Sequence, residues 1–245
     1  MAIVVLDNDE CTGSWAGLSV LYSLMANPST ILFASLMEST KCCRPGLRTL
    51  YNHLLKHKQS GRISKIYMCT AASNDTGWVT FLREALEIWY GKPVYDGVVH
   101  GGMILQWHRL HGTPPVDHAT GSYIKNMDMI RTLSDSPLRT PVIAVDDRPL
   151  YIQKGASIGV IPYYANLDLP RLCATHVHCG HFPGMQLAVT GVAGRIKQGP
   201  QIDPLILENE MCMVLARIFL LTAKEAGPRL PLHPAAQVAV PSETG

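Results

Sequence analysis

The fold is indicated first by residues 2–10, AIVVLDNDE, in which an apolar run passes directly into acidic residues. Five apolar residues in a row, three of them β-branched, are typical of a parallel strand that is buried on both faces. Such strands deliver polar residues to the carboxyl edge of the sheet, where α/β proteins bind their ligands. The chemistry of this protein is therefore expected to begin at Asp7.

The same arrangement recurs along the chain. Further apolar runs of strand length lie at residues 66–69, 142–145 and 158–161, and the first two end in Thr70 and in Asp146-Asp147. Between the strands, apolar residues recur at helical spacing in residues 15–25, 47–54 and 78–89. This alternation predicts an α/β fold, a three-layer sandwich with a central parallel sheet, helices on both faces and converging polar strand ends.

Finer expectations concern the remaining segments. Asp75 or Thr76 is predicted to cap the helix over residues 78–89, and Gly91 to follow its end. Residues 92–122 are rich in Gly, His and Pro, with short apolar pieces at 98–99 and 103–105, and are predicted to form small strands and loops. Residues 206–226 show the pattern of one long helix.

Composition excludes several classes of protein. The 245 residues are 47% hydrophobic and 16% charged, which supplies a packed core and too little charge for a disordered chain. A formal net charge of +2 gives no basic field for direct nucleic-acid binding. The seven cysteines are odd in number, and Cys42 and Cys43 are adjacent while the others are scattered, which does not resemble the framework of a secreted disulfide protein.

Location is predicted from the same composition. The N-terminus lacks the basic segment of a signal peptide. Residues 211–223, the most apolar stretch, contain Arg217 and fall short of the ~20 residues that a membrane span needs. We expect an intracellular protein, cytoplasmic or nuclear, with no membrane segment.

Two acidic pairs dominate the predicted carboxyl edge. Asp7 and Asp9, two apart at the end of the first strand, can divide the roles of nucleophile and proton donor. Asp146 and Asp147 end a later strand, and carboxylates that converge from two strands repel one another unless a cation lies between them. Mg²⁺, which prefers hard oxygen ligands, suits such a site.

Two further residues could complete a phosphate site. Lys125 and the hydroxyl of Thr70 would together offset and bind the negative charge of a phosphoryl group. Taken singly, each residue has an ordinary explanation as well, because Thr70 could cap a turn and Lys125 could be one of many surface lysines. An Asp-x-Asp pair alone is also common on solvated loops.

Four segments, taken in order, give a more specific signal. They are VVLDNDE at residues 4–10, MCTAAS at 68–73, YIKNM at 123–127 and VIAVDDRP at 142–149. In this order, they resemble the four motifs of the haloacid dehalogenase-like phosphotransferase superfamily. Within it, the sequence resembles the phosphatases of the RNA polymerase II carboxy-terminal domain, and RPGL at 44–47 extends the match. The resemblance covers about residues 1–163, with Cys11 where that family usually has Thr or Val.

The resemblance implies a haloacid dehalogenase-like Rossmannoid fold with only a small cap or insertion. It also implies catalytic roles. Asp7 would attack phosphorus and form an aspartyl-phosphate, and Asp9 would protonate the leaving oxygen and later activate water. Thr70, Ala71 and Lys125 would bind the phosphoryl group.

A metal site is implied in the same way. Mg²⁺ would be held by Asp7, by the backbone carbonyl of Asp9, and by Asp146 or Asp147. Asp147 is favoured as the direct ligand, with Asp146 orienting Lys125 or a metal-bound water.

The leading function is a Mg²⁺-dependent phosphomonoester phosphatase that acts on a phosphoprotein, through phosphoserine, phosphothreonine or phosphotyrosine. The segments between the motifs leave no room for a large lid domain, and an open cleft suits a protruding side chain. A small phosphomonoester is the alternative substrate. A non-catalytic phosphatase-like adaptor is a third possibility.

Three regions are predicted along the chain. Residues 1–163 form the phosphatase core, with 92–122 as an insertion, residues 164–227 form a C-terminal extension, and residues 228–245 form a Pro-rich tail. The long helix of the extension is predicted to pack on the core in preference to pairing with a second copy, which would give a homodimer. The cluster from Cys173 to His181 matches no closed zinc pattern, so a polar loop is preferred to a metal site.

Overall fold

The computed structural model describes residues 1–165, 167–177 and 200–224. Its strands are β1 (Ala2–Asp7), β2 (Ile63–Cys69), β3 (Gly97–Val99), β4 (Lys125–Asn126), β5 (Val142–Asp146), β6 (Ile152–Gln153) and β7 (Ala156–Gly159). Five of them form one parallel sheet in the order β3-β2-β1-β5-β7. The short strands β4 and β6 pair in parallel as a separate two-stranded sheet.

Helices cover both faces of the five-stranded sheet. Within the described residues they are α1 (Ala16–Leu24), α2 (Thr30–Thr40), α3 (Leu47–Gln59), α4 (Trp78–Tyr90), α5 (Gly101–Leu110), α6 (Met127–Leu133), α7 (Leu169–His176) and α8 (Pro204–Lys224). Val4 and Leu6 of β1 belong to the core that includes residues of α1 to α4, α7 and α8. Ile3 and Val5 belong to a second core, which includes residues of α5 and α6. This alternation along one strand shows a three-layer α/β fold, as predicted.

The carboxyl ends of three central strands lie side by side. β1 runs between β2 and β5, with Asp7 paired with Cys69 and Leu6 paired with Val145. The polar residues that follow these strands therefore meet at one edge, which confirms the predicted convergence.

Two segments between the strands differ from the prediction. No helix was expected at α2, where Ser29 accepts a hydrogen bond from the amide of Leu32 as the N-cap. Asn27-Pro28 was interpreted only as a helix stop, although a stop can directly precede the next cap. Residues 103–105 lie in α5 and form no strand. The prediction failed here because three apolar residues are too few to distinguish the 3.6-residue period of a helix from the two-residue period of a strand.

The start of α4 also differs from the expected cap. The residue that precedes α4 is Gly77, with a left-handed φ of 77°, so the prediction of Asp75 or Thr76 is wrong. The free amides in the first turn of α4 are capped by Asn74 instead. Its Oδ1 accepts hydrogen bonds from the amides of Val79 at 2.9 Å and Thr80 at 3.2 Å. Gly91 follows the end of α4, as expected.

Helix α8 packs against the rest of the chain. Its buried residues recur at spacings of three and four, and they are Leu207, Glu210, Met211, Val214 and Ile218. Contacts with α3 and β5 place this face over the first core. The predicted region boundaries at 163 and 227 stay a prediction.

Some sequence-based expectations fall outside the described residues. These include the Pro-rich tail at 228–245 and three members of the Cys-His cluster, His178, Cys179 and His181. Two other members, Cys173 and His176, lie on α7. Among the helices that the structure describes, none combines the length and the apolar character needed to cross a bilayer.

Substituting Ile218→Ala is expected to destabilise the protein, because Ile218 is 1% exposed and its loss leaves a cavity. A cost of roughly 2–5 kcal/mol in the free energy of unfolding is expected from urea denaturation. Leu220→Ala, on the exposed side of the same helix at 57% exposure, is the control and should change it by under about 0.5 kcal/mol. Equal effects of the two variants would contradict the packing of α8 on the core.

Candidate active site

A buried lysine joins two of the three strand ends. Lys125 Nζ donates to Asp7 Oδ1 and, at 2.7 Å, to Asp146 Oδ2. The backbone around Lys125 is held by pairing with Ile152 of β6. The ammonium therefore lies between the carboxylates that end β1 and β5.

Three carboxylates meet beside this lysine. One oxygen from each of Asp7, Asp146 and Asp147 lies within 4.8 Å of the others. Asp146 Oδ1 accepts from the Arg148 amide at 2.7 Å, which fixes the loop after β5. Asp147 Oδ2 lies 3.5 Å from Arg148 Nε. The group offers the hard oxygen ligands that Mg²⁺ prefers.

Asp9 lies on the loop after β1 and is bound by Thr70. The Thr70 hydroxyl donates to Asp9 Oδ2 at 2.7 Å and accepts from the Ala72 amide at 3.0 Å. Burial raises the pKa of Asp9, although the bond from Thr70 opposes the rise. A carboxyl with a raised pKa keeps its proton closer to neutral pH, as a general acid requires.

The backbone of the loop after β1 is held by hydrogen bonds within the loop. Glu10 has a left-handed φ of 63°, and its amide donates to the Gly13 carbonyl at 2.9 Å. The indole of Trp15 donates to the Asn8 carbonyl at 3.0 Å. These bonds hold the turn that carries Asp9 over the end of the sheet.

Electrostatics at the site favour a bound cation. Burial raises the pKa of Asp7 well above its usual value, with the Asp146 charge adding to the rise and Lys125 opposing it. Burial also raises the pKa of Asp147, and Asp146 adds to that rise. Burial alone would lower the pKa of Lys125, but its acidic neighbours, Asp7 first, raise it well above the usual value, so Lys125 stays an ammonium. One ammonium among three carboxylates leaves a negative excess that a divalent cation would balance.

The carboxylates open into a pocket of about 160 Å³. The residues that line it are Asp7, Asp9, Glu10, Ala71, Ser122, Tyr123, Lys125, Asp146, Asp147, Arg148 and Tyr151. Typical enclosed ligand sites have roughly 300–1,000 Å³, so this pocket is small for a whole metabolite.

The predicted site residues come together at this edge. Six of the seven, all except Thr70, line the pocket, while Thr70 is buried and its hydroxyl donates to Asp9. Cys11, which stands where the resembled family usually has Thr or Val, is buried, and its thiol donates to the Val145 carbonyl at 3.5 Å. Their catalytic roles stay predictions.

Sequence reasoning gave no role to several residues at or near the pocket. Ser122 and Tyr151 line it, yet neither lies in a pattern that points to a ligand. Tyr164 is another, since its hydroxyl donates to Glu10 Oε2 at 2.8 Å. Such contacts depend on loop geometry, which apolar periodicity does not encode.

Two phosphatase structures are among the solved structures to which this chain is similar. One is Fcp1, described as an essential RNA polymerase II CTD phosphatase, with 14% sequence identity and a TM-score of 0.42 over 91% of this chain and 62% of that chain. The other is fission yeast Fcp1 bound to beryllium fluoride, with 12% identity and a TM-score of 0.36 over 93% of this chain and 67% of that chain. The chain thus spans about two thirds of the length of each. No protein-family model matches this chain, and no curated protein has significant similarity to it.

Proposed function

We propose that this protein is a Mg²⁺-dependent phosphomonoester phosphatase of the haloacid dehalogenase-like type. The observation that carries the proposal is the buried cluster of Asp7, Asp146 and Asp147, with Lys125 bridging two of the three carboxylates. All four residues lie in the segments that resemble the motifs of that superfamily. Phosphoryl transfer asks a protein mainly for positioning and charge neutralisation, which this cluster can supply.

The residues present fit a magnesium ion. Asp7 and Asp147 are the proposed side-chain ligands, and the backbone carbonyl of Asp9 is the third protein ligand. Asp146 accepts hydrogen bonds from Lys125 Nζ and from the Arg148 amide, so its proposed role is to orient the lysine. When bound, Mg²⁺ neutralises phosphoryl charge and orients the group for in-line attack.

The side chains then divide the chemistry. Asp7 Oδ attacks phosphorus, the P–O bond to the leaving group breaks, and Asp9 donates its proton to the leaving oxygen. Asp9, now a carboxylate, takes a proton from the water that hydrolyses the aspartyl-phosphate. Lys125 stabilises the phosphoryl oxygens, and Thr70 orients Asp9 through its hydroxyl.

Metal removal is the direct test of this activity. EDTA is expected to abolish release of phosphate from an aryl phosphate, and added Mg²⁺ to restore it. Ca²⁺ should inhibit, because its larger and less regular coordination shell disturbs in-line geometry. Full activity in Ca²⁺ alone, or activity that resists EDTA, would count against the proposed metal site.

The substrate class is proposed from the size of the pocket. A volume of about 160 Å³, without a large lid among the described residues, fits a phosphoryl group on a protruding side chain. We therefore expect a higher kcat/KM on phosphoserine or phosphothreonine peptides than on sugar phosphates. The reverse order would indicate a small-molecule phosphatase. Specific binding of phosphopeptides without Mg²⁺-dependent turnover would indicate an adaptor.

A further inference from the structure

A buried arginine outside the carboxylate cluster supports the loop that carries Asp9. The side chain of Arg44 is 0% exposed. Its Nη1 donates to three backbone carbonyls, those of Ile161 at 2.7 Å, Glu10 at 3.3 Å and Cys11 at 3.4 Å. Two of these carbonyls lie immediately after Asp9 in the chain.

The backbone around Arg44 closes on the same loop. The Arg44 amide donates to the Thr12 carbonyl at 3.0 Å, and the Ser14 amide donates to the Cys42 carbonyl at 2.8 Å. The loop also receives the Tyr163 amide, which donates to the Glu10 carbonyl at 2.7 Å. Arg44 therefore contacts residues 10–12 through both its guanidinium and its backbone amide, and it is the charged residue among the contacts that hold this loop.

The partner of this arginine comes from α8, the last helix that the structure describes. Arg44 Nη2 donates to Glu210 Oε2 of α8, and Glu210 Oε1 accepts from the Ile161 amide at 2.8 Å. Glu210 is itself buried. A buried charge costs free energy unless it is paired, so Glu210 is what allows a guanidinium to be placed behind the loop.

We propose that Arg44 and Glu210 are positioning residues for the reaction, which fix the loop so that Asp9 meets the leaving oxygen. This inference rests on the proposed phosphatase function. It gives α8 a role in the site, because a side chain of the C-terminal extension supports the loop next to the general acid.

Glu210→Gln is the variant that tests the pair. A carboxylate has an acceptor oxygen for each of its two donors, whereas an amide has only one acceptor oxygen, so either Arg44 or the Ile161 amide loses its partner. Glu208→Gln makes the same change at an exposed position two residues away and serves as the control.

The readout compares two leaving groups. A loop that misplaces Asp9 should slow a phosphoserine peptide by about 10²-fold in kcat and an aryl phosphate by under about tenfold, because the aryl oxygen needs little protonation. A merely structural role would lower both rates by the same factor, through the folded fraction. Equal losses on the two substrates would overturn the proposal.

A second variant separates loop support from an unpaired buried charge. Arg44→Met combined with Glu210→Leu removes both charges. The Glu10 and Cys11 carbonyls still lack the hydrogen bonds that Arg44 donates in the wild-type protein. The difference between the two substrates should persist in this double variant. Its return to the wild-type ratio would show that the pair matters only for stability.

Hydrogen exchange provides a test that does not depend on turnover. In Glu210→Gln, the amides of Glu10 and Thr12 should exchange faster while amides of β1 keep their protection. Unchanged exchange in the loop would overturn the inference. If the wild-type protein hydrolyses neither substrate, the proposed function fails, and the exchange result still decides whether the pair holds the loop.

Discussion

Asp7→Asn is expected to abolish phosphatase turnover, with a loss of at least about 10³-fold in kcat. An amide cannot serve as the attacking carboxylate, while its size and its acceptor oxygen preserve the contact with Lys125. The fold should survive, because Lys125 keeps its second partner in Asp146. Release of phosphate from an aryl phosphate measures the effect, and thermal unfolding reports the fold.

Asp135→Asn is the matched control for this variant. Asp135 is exposed and has a left-handed φ of 50°, a conformation that Asn tolerates well. Its activity should equal that of the wild-type protein. If Asp7→Asn kept more than a few per cent of wild-type turnover, Asp7 could not be the nucleophile.

Asp9→Asn is expected to give the second largest effect, and one that depends on the leaving group. Loss of a general acid costs roughly 10²–10⁴-fold when the leaving oxygen is a serine alkoxide. A much smaller loss is expected with an aryl phosphate, whose leaving oxygen needs less protonation. Parallel assays on a phosphoserine peptide and an aryl phosphate compare the two, and equal losses would argue against the general-acid role.

The pH dependence gives an independent check on Asp9. Because burial raises its pKa, a larger fraction of Asp9 stays protonated toward neutral pH. The acid form is the active form in the first step, so the single-turnover rate on a phosphoserine peptide should fall as the pH rises through this pKa. A rate that climbs steadily from about pH 5 to 8 would contradict the assignment.

The sheet and its acidic edge were predictable because their signals are local. The strands β1, β2 and β5 contain the apolar runs at residues 2–6, 66–69 and 142–145, and each run passes directly into polar residues. Their convergence follows from parallel pairing, which places all carboxyl ends at one edge. The α/β fold and the meeting of Asp7 with Asp146 could therefore be inferred from the sequence.

Other features could not be inferred, because they depend on contacts between distant segments. Helix α2 was not predicted, because its N-cap, Ser29, directly follows Asn27-Pro28, which was interpreted only as the end of the preceding helix. Lys125 was identified through its motif, but nothing local places its ammonium between two carboxylates. Arg44 lies in the RPGL segment that extends the resemblance, but nothing in the sequence indicates its pairing with Glu210, because a single glutamate on a long helix has many potential partners.

The separation between Arg44 and Glu210 has a consequence for the order of folding. The two residues are 166 positions apart in the chain, so their contact closes one of the longest loops that the described structure contains. During synthesis, strands β1, β2 and β5 can all emerge from the ribosome before Glu210 has been made. The contact is therefore late in synthesis, since it forms only after α8 has been made. A nascent chain can therefore pair the strands of its sheet before α8 exists, and under our proposal the loop beside Asp9 gains its full support only once α8 has been synthesised.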